Sequence, residues 1–397
     1  MGIDGRIVSS LVGVDKKYWV RCRHTLRYNR HGMFEFEILA TDGRARAGVL
    51  HTPHGALNTP LFAPVGTQAA VKAVTPAQLV EVGTSLVLAN TYHLYLRPGH
   101  TVVRDLGGLH AFMNWHGPIL TDSGGYQVFS LGESNSIDDD GVTFRSHIDG
   151  STHRFTPEHA MEIQQDLGAD IIMAFDQCPE PYERETNERA MARTHAWAER
   201  CKAAHQRRNQ ALFGIVQGGA FSDLRAESAR FIAALDLPGN AIGGLSVGES
   251  KDDLLAMTEV VTDILPAVKP RYLMGVGSPA YLVHAVARGV DMFDCVLPTR
   301  LARHAAAMTR GGQLNMKKAA YAVDREPVQP GCGCYCCANF SRAYIRHLCM
   351  ARETMGAILL TMHNLTLLHE LVAEMRAAII KGEFGAWQRE FAHNWPL

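Results

Sequence analysis

Residues 271–300, RYLMGVGSPAYLVHAVARGVDMFDCVLPTR, carry one complete strand–helix–strand unit. The apolar run at RYLM reads as a short buried strand that breaks at glycine. Ser278-Pro279 then supplies an N-cap residue and a proline at the first helical position, where no backbone donor is lost. Gly289 closes that helix in the left-handed conformation that glycine tolerates best. A second apolar run, MFDC, follows. A strand, a crossover helix and another strand imply parallel strands.

Outward from this unit the same grammar recurs. SLVLANT (85–91), PILTDSGG (118–125), DIIMAFDQC (170–178), LFGIVQGG (212–219) and NAIGGLSVGE (240–249) are apolar runs that end in a polar group, mostly beside glycine. Thr156-Pro157 opens another helix, and Ser250 with Asp253 resembles a capping box. About seven such units suit a (β/α)8 barrel better than a doubly wound sheet, and no G-x-G-x-x-G follows the first strand. The alternation in FEFEILAT (34–41) predicts a strand leading into a hairpin or meander through residues 48–66. Residues 341–382 read as two long helices parting near Asn364. Residues 1–32 read as a poorly ordered extension with a basic stretch at 16–30, residues 33–385 as the barrel, and 386–397 as a tail.

The chain has 397 residues and a formal net charge of −1, which excludes a polybasic binder that holds nucleic acid by charge alone. No stretch reads as the roughly 20 apolar residues that span a bilayer. The first residues lack the pattern of a secretory signal. Of the nine cysteines, Cys332, Cys334, Cys336, Cys337 and Cys349 are crowded together. An odd count with one tight cluster favours a reducing, cytoplasmic setting and a metal site over disulfides.

The chemistry is expected where strands exit into loops. Asp122, Asp176 and Asp294 stand at such exits, with Gln217 at a fourth. A carboxylate there is partly desolvated, so its pKa can be tuned for nucleophilic or acid–base work. Each aspartate could instead simply cap the next helix, although Asp294 is followed by Cys-Val-Leu-Pro rather than by a helix start. Two carboxylates facing one sugar carbon are the apparatus for exchange of a glycosidic bond. The pairs Gly124-Gly125, Gly218-Gly219 and Gly243-Gly244 let backbone approach a flat ligand.

Cys332-x-Cys334-x-x-Cys337 offers three soft ligands for a tetrahedral Zn²⁺. Spacing leaves the fourth open among Cys336, His347, Cys349 and His363. Between residues 299 and 346, eight basic side chains (Arg300 and Arg303 among them) stand against Asp324 and Glu326. That stripe suits a phosphate backbone.

Taken together, FEFEILATDGRARAG, NTYHLYLRPG, TDSGGYQVFSL, FDQC, GIVQGG, GGLSVGE, RYLMGVG, GVDMFDCVLPTR, CGCYCC, SRAYIRHL and the closing T-x-H-N resemble bacterial tRNA-guanine transglycosylases across about residues 33–385. The resemblance implies an irregular (β/α)8 TIM barrel with an inserted zinc subdomain at about 315–365 and C-terminal helices. It implies exchange of guanine at the wobble position of certain tRNAs for a 7-deazaguanine in queuosine synthesis. By motif, Asp294 resembles the nucleophile at ribose C1′ and Asp122 the general acid/base. Ser123, Asp176, Gln217, Gly244 and Leu245 look like base-binding groups, with Tyr126 and Met274 on the two faces of the heterocycle. Cys178 and Val247 go with preQ1 as the incoming base. Cys332, Cys334, Cys337 and His363 match the ligands of one structural Zn²⁺, which leaves Cys336 a bystander. Arg300 and Arg303 resemble anticodon-loop contacts for tRNAs of the Asp, Asn, His and Tyr type. A homodimer is implied, with Phe112, Phe340, Tyr344 and His347 at the corresponding contact positions. After PTR the chain departs from the family's glycine-containing run, with Ala302 and Ala305 where glycines are usual. If either position needs a positive φ, alanine is strained there.

Two other readings compete. A non-catalytic tRNA-binding partner subunit on the same scaffold would be expected to lack one of the two carboxylates. A hydrolase with a catalytic zinc needs an open coordination position, and a complete Cys3His set has none.

Overall fold

The computed structural model describes residues 33–131 and 136–394. The expected extension at 1–32 lies outside these. Eight parallel strands close into a barrel in the order given by the chain. They are β1 (Leu61–Gly66), β2 (Val87–Ala89), β3 (Ile119–Thr121), β4 (Ile171–Met173), β5 (Ala211–Val216), β6 (Gly239–Ile242), β7 (Arg271–Leu273) and β8 (Met292–Cys295). β8 pairs with β1 through Met292↔Leu61 and Asp294↔Ala63, and β3 meets β4 at Leu120↔Ile171.

The strands are almost wholly apolar because both of their faces are covered. Alternation then sorts side chains between two cores. Ala211, Phe213 and Ile215 of β5 point into the barrel, where Ala63, Leu120, Ile171 and Tyr272 meet them. Leu212 and Val216 face the outer helices. An antiparallel sheet of Phe36–Asp42, Ala45–Thr52 and Gly55–Thr59 is the expected meander. Its Phe36, Leu50 and Leu57 join the inner core beside the strands' amino ends.

Thr156 caps Pro157–Leu167 by accepting from His159 N. Pro279–Val286 runs from Ser278 to the positive-φ Gly289. At Lys251–Ile264 the box is only half made. Ser250 Oγ accepts from Asp253 N, but Ser250 N donates to the Tyr182 hydroxyl, which in turn donates to Asp253.

Beyond β8, the helix Leu297–Arg303 leads to a hairpin, Ala306–Thr309 with Gly312–Asn315. Cys334, Cys336, Cys337, Ile345, Leu348, Leu359 and Leu360 form a separate small core here. The two helices expected over 341–382 are present, but they part at Arg352 and not near Asn364. Arg342–Ala351 ends on Arg352 with φ 59°, and Thr354–Lys381 runs straight through Asn364. The polar Asn364 does not end the helix because tertiary partners satisfy it. Its amide accepts from Met308 N at 2.8 Å and donates to Pro298 O at 2.9 Å. Thr354–Lys381 also corrects the expectation that no stretch matches a bilayer span. It is long and apolar enough by length and composition, with 67% of its most apolar window buried in the protein. Phe384–Asn394 is helical where the sequence reading has a tail, and Trp387 stacks between Phe384 and Phe391.

Candidate active site

A cavity of about 590 Å³ opens at the carboxyl ends of the strands and takes in Asp122, Asp176 and Asp294 together. This is the end at which barrel strands deliver side chains into loops. Asp294 lies within β8 and is 8% exposed. Tyr272 of β7 donates its hydroxyl to Asp294 Oδ1 at 2.5 Å, and Gly275 N donates to the same oxygen at 2.8 Å. Burial pushes the Asp294 carboxyl above the usual range against those two bonds.

Asp122 follows β3. Its Oδ1 accepts from Thr91 N at 2.9 Å and Gly124 N at 3.2 Å, and its Oδ2 accepts from Asn90 Nδ2. Burial, with the charge of Asp294 adding to it, pushes Asp122 up to about 7. The backbone donors pull the other way but do not win. The two carboxylates therefore share a cavity and feel one another.

Asp176, also raised by burial, accepts from Ser123 Oγ at 2.9 Å and from Gln217 Nε2 at 2.7 Å. Gln217 is 1% exposed and stands behind Asp176, outside the cavity wall. Gly125 passes so close to Asp176 that an added Cβ would lie 2.5 Å from its carbonyl oxygen. Gly244 has φ 60°, and a side chain there would collide with Gln217 Oε1. Tyr126, Cys178, Gly244, Leu245, Val247 and Met274 all line the cavity. Tyr126 is half exposed, and burial drives the Cys178 thiol up to about 12. The Glu249 carboxylate accepts from Ser246 N and Val247 N in the loop after β6.

Arg300 reaches the cavity rim from the helix Leu297–Arg303, and Arg303 is exposed one turn on. Of the two alanines in question, Ala302 lies inside that helix, whereas Ala305 has φ 61°. The strain is real at Ala305, and its methyl group is almost fully buried in partial compensation.

The thiols of Cys332, Cys334 and Cys337 lie 3.7, 3.4 and 3.3 Å from His363 Nδ1. A tetrahedral ion with sulfur at about 2.3 Å and nitrogen at about 2.0 Å would separate those atoms by about 3.5 Å. His363 Nε2 donates to Met308 O at 2.8 Å, which leaves Nδ1 unprotonated to bind a metal. Cys336, Cys349 and His347 lie outside the set. A second group, His54, His110 and Asp170, sits at the amino end of β4. Its two rings stack 3.6 Å apart at 18°, and each faces a different oxygen of Asp170, His54 Nδ1 at 2.7 Å from Oδ1 and His110 Nε2 at 3.2 Å from Oδ2.

Sequence reasoning missed Asn90, Tyr272 and Arg225. Asn90 ends its strand in the same apolar-then-polar grammar as Asp122. Tyr272 reads as plain strand interior. Arg225 stands in a helix, where nothing in the pattern marks it.

A family model described as queuine tRNA-ribosyltransferase matches residues 42–397. The chain is 56% identical to the queuine tRNA-ribosyltransferase of Pelotomaculum thermopropionicum over 352 residues, covering 88% of this chain and 95% of that one. It is 57% identical to that of Desulforamulus reducens, covering 88% and 94%, and 55% identical to that of Symbiobacterium thermophilum, covering 91% of each. A match that runs through the barrel, the aspartate cavity and the thiol cluster alike places the chain in the queuine tRNA-ribosyltransferase family.

Proposed function

We propose that this enzyme exchanges guanine at wobble position 34 of G-U-N anticodon tRNAs for preQ1, through a covalent ribosyl–aspartate on Asp294. The observation that carries the reading is the pair of desolvated carboxylates, the buried Asp294 and the partly buried Asp122, on one cavity. A partner subunit without catalysis has no use for such a pair.

Tyr272 and Gly275 both donate to Asp294 Oδ1, so Oδ2 is the oxygen available to attack ribose C1′. Asp122, raised to about 7 and so poised between its two forms near neutrality, gives its proton to the departing guanine and takes one from the incoming base. Two displacements at one carbon retain the anomeric configuration, and no ATP is needed because one N-glycosidic bond replaces another. The target base leaves its stack to reach the cavity. Asp176, oriented by Ser123 and Gln217, accepts from the purine's N–H groups, and the Gly244 N–H donates to its six-oxo group. Tyr126 and Met274 cover the two faces. Cys178 and Val247 shape the wall for preQ1, whose ammonium finds the Leu245 carbonyl, with Glu249 nearby.

Arg300 and Arg303, the exposed residues of the helix Leu297–Arg303, take the anticodon stem-loop of Asp-, Asn-, His- and Tyr-type tRNAs. Cys332, Cys334, Cys337 and His363 would hold one structural Zn²⁺, supported by the tetrahedral spacing above, and would so tie the thiol-bearing segment to the long helix Thr354–Lys381. Phe340 stacks on Tyr344 at 5.3 Å and Tyr344 on His347 at 6.4 Å, and these partly exposed rings, with Phe112, are the positions at which a homodimer would form. The thiols suit a cytoplasmic setting.

The test is incorporation of labelled guanine into unmodified G-U-N tRNA, with preQ1 as competitor. Asp294→Ala should abolish exchange, by more than about 10³-fold for loss of a nucleophile, while tRNA binding persists. Wild type without free base should show a covalent protein–tRNA band on denaturing electrophoresis. Normal exchange by the variant would reject the nucleophile.

A further inference from the structure

The wall formed by Gly243, Gly244 and Leu245 is held from behind by a buried cation. Arg225 lies on the helix Ser222–Ala234 that follows β5, and none of it is exposed. Its Nε donates to Gly219 O at 2.7 Å and its Nη1 to Val216 O at 3.2 Å and Gly243 O at 2.6 Å. Its Nη2 donates to Gly244 O at 2.8 Å. The guanidinium thus ties the exit of β5 to the exit of β6 through backbone carbonyls alone. Burial draws its pKa down to about 10, with Cys178 and Glu249 acting weakly the other way, so it stays charged at neutrality.

Burying a guanidinium against carbonyls, without a carboxylate, is a costly way to brace two loops. A neutral amide would cap carbonyls more cheaply. What the arginine adds is direction and field. In a trans peptide the C=O and N–H point in opposite directions. Pinning the Gly243 carbonyl toward Arg225 therefore turns the Gly244 N–H away from it, toward Cys178 and the cavity that Cys178 and Gly244 both line. A cation on the carbonyl also polarises the peptide and strengthens its N–H as a donor. That donor matters most when negative charge builds up on the departing purine.

We infer that Arg225 is a positioning residue that aims and polarises the Gly244 N–H toward the six-oxo group of the exchanging base. The inference rests on the base-site reading given above and deepens it. The arginine touches neither base nor ribose and acts through one peptide group. It governs discrimination between purines with and without an oxygen at that carbon.

The experiment compares guanine with 2-aminopurine, which lacks the six-oxo group, as competitors of labelled guanine in the tRNA exchange assay. Wild type, Arg225→Lys and Arg225→Gln are each first checked by thermal melting. Wild type should prefer guanine. In the variants guanine should weaken by about tenfold, the size of one neutral hydrogen bond, while 2-aminopurine holds steady. Lysine should recover part of the loss, because it keeps the charge but not the fork. Equal weakening of both bases, or an unchanged preference, would overturn the inference and leave Arg225 a brace. Failure of both variants to fold would do the same, by assigning the residue to the fold. A wild-type enzyme indifferent to the six-oxo group would instead reject the base-site reading on which the inference stands.

Discussion

At the scale of single residues, Asp122 should set the pH response. Its carboxyl is raised to about 7 chiefly by burial and further by the charge of Asp294, against the N–H groups of Thr91 and Gly124. The native state therefore holds this proton more tightly than the unfolded chain does. Guanine departure, which needs the proton, should slow as pH rises through about 7. In kcat/KM against pH, that alkaline limb should vanish in Asp122→Asn along with most of the activity. Stability follows the same sign. The buried charge destabilises the fold once pH passes the unfolded carboxyl's range, so Asp122→Asn should melt higher than wild type above about pH 7. The two should converge below about pH 4, where both states are protonated. An equal offset at both pH values would mean that the variant acts through packing.

At the scale of elements, helix ends follow local chemistry where a cap is free to act. They follow tertiary contacts where a polar residue is buried. Thr156 is a local device, and Thr156→Ala should cost about 1 kcal/mol in urea unfolding. Asn364 is not. It joins the long helix to Met308 of the hairpin and to Pro298 beside Arg300. Asn364→Ala would leave a buried donor and a buried acceptor without partners and should cost about 3 kcal/mol, a distinctly larger loss. Equal costs would show that water enters and satisfies those groups. The continuity of Thr354–Lys381 is the same effect, since a residue that reads as a stop became a rivet.

At the scale of the whole molecule, two cores do separate work. The barrel positions the aspartates, and the small core around Cys334, Cys337 and Leu360 carries the hairpin and the thiol cluster that could hold a metal ion. Chelation should loosen the second and spare the first. Amide hydrogen exchange should rise across residues 306–351 while β4 and β5 remain protected, and tRNA binding should fall together with the module. Unchanged protection of residues 306–351 without metal would contradict a structural ion.

The strand–helix alternation was legible in the residues because period and punctuation are local properties. So was the set of polar groups at strand exits, since a barrel strand that is apolar throughout makes its last polar residue conspicuous. The thiol cluster was legible for the same reason of proximity along the chain. Arg225 behind Gly244, Tyr272 behind Asp294 and Asn90 behind Asp122 were not, and neither was the positive φ that tests Ala305. Each depends on which strand lies beside which, and on how far burial outweighs hydrogen bonding at a given atom. Those quantities belong to atoms distant in sequence, so they exist only once the barrel has closed.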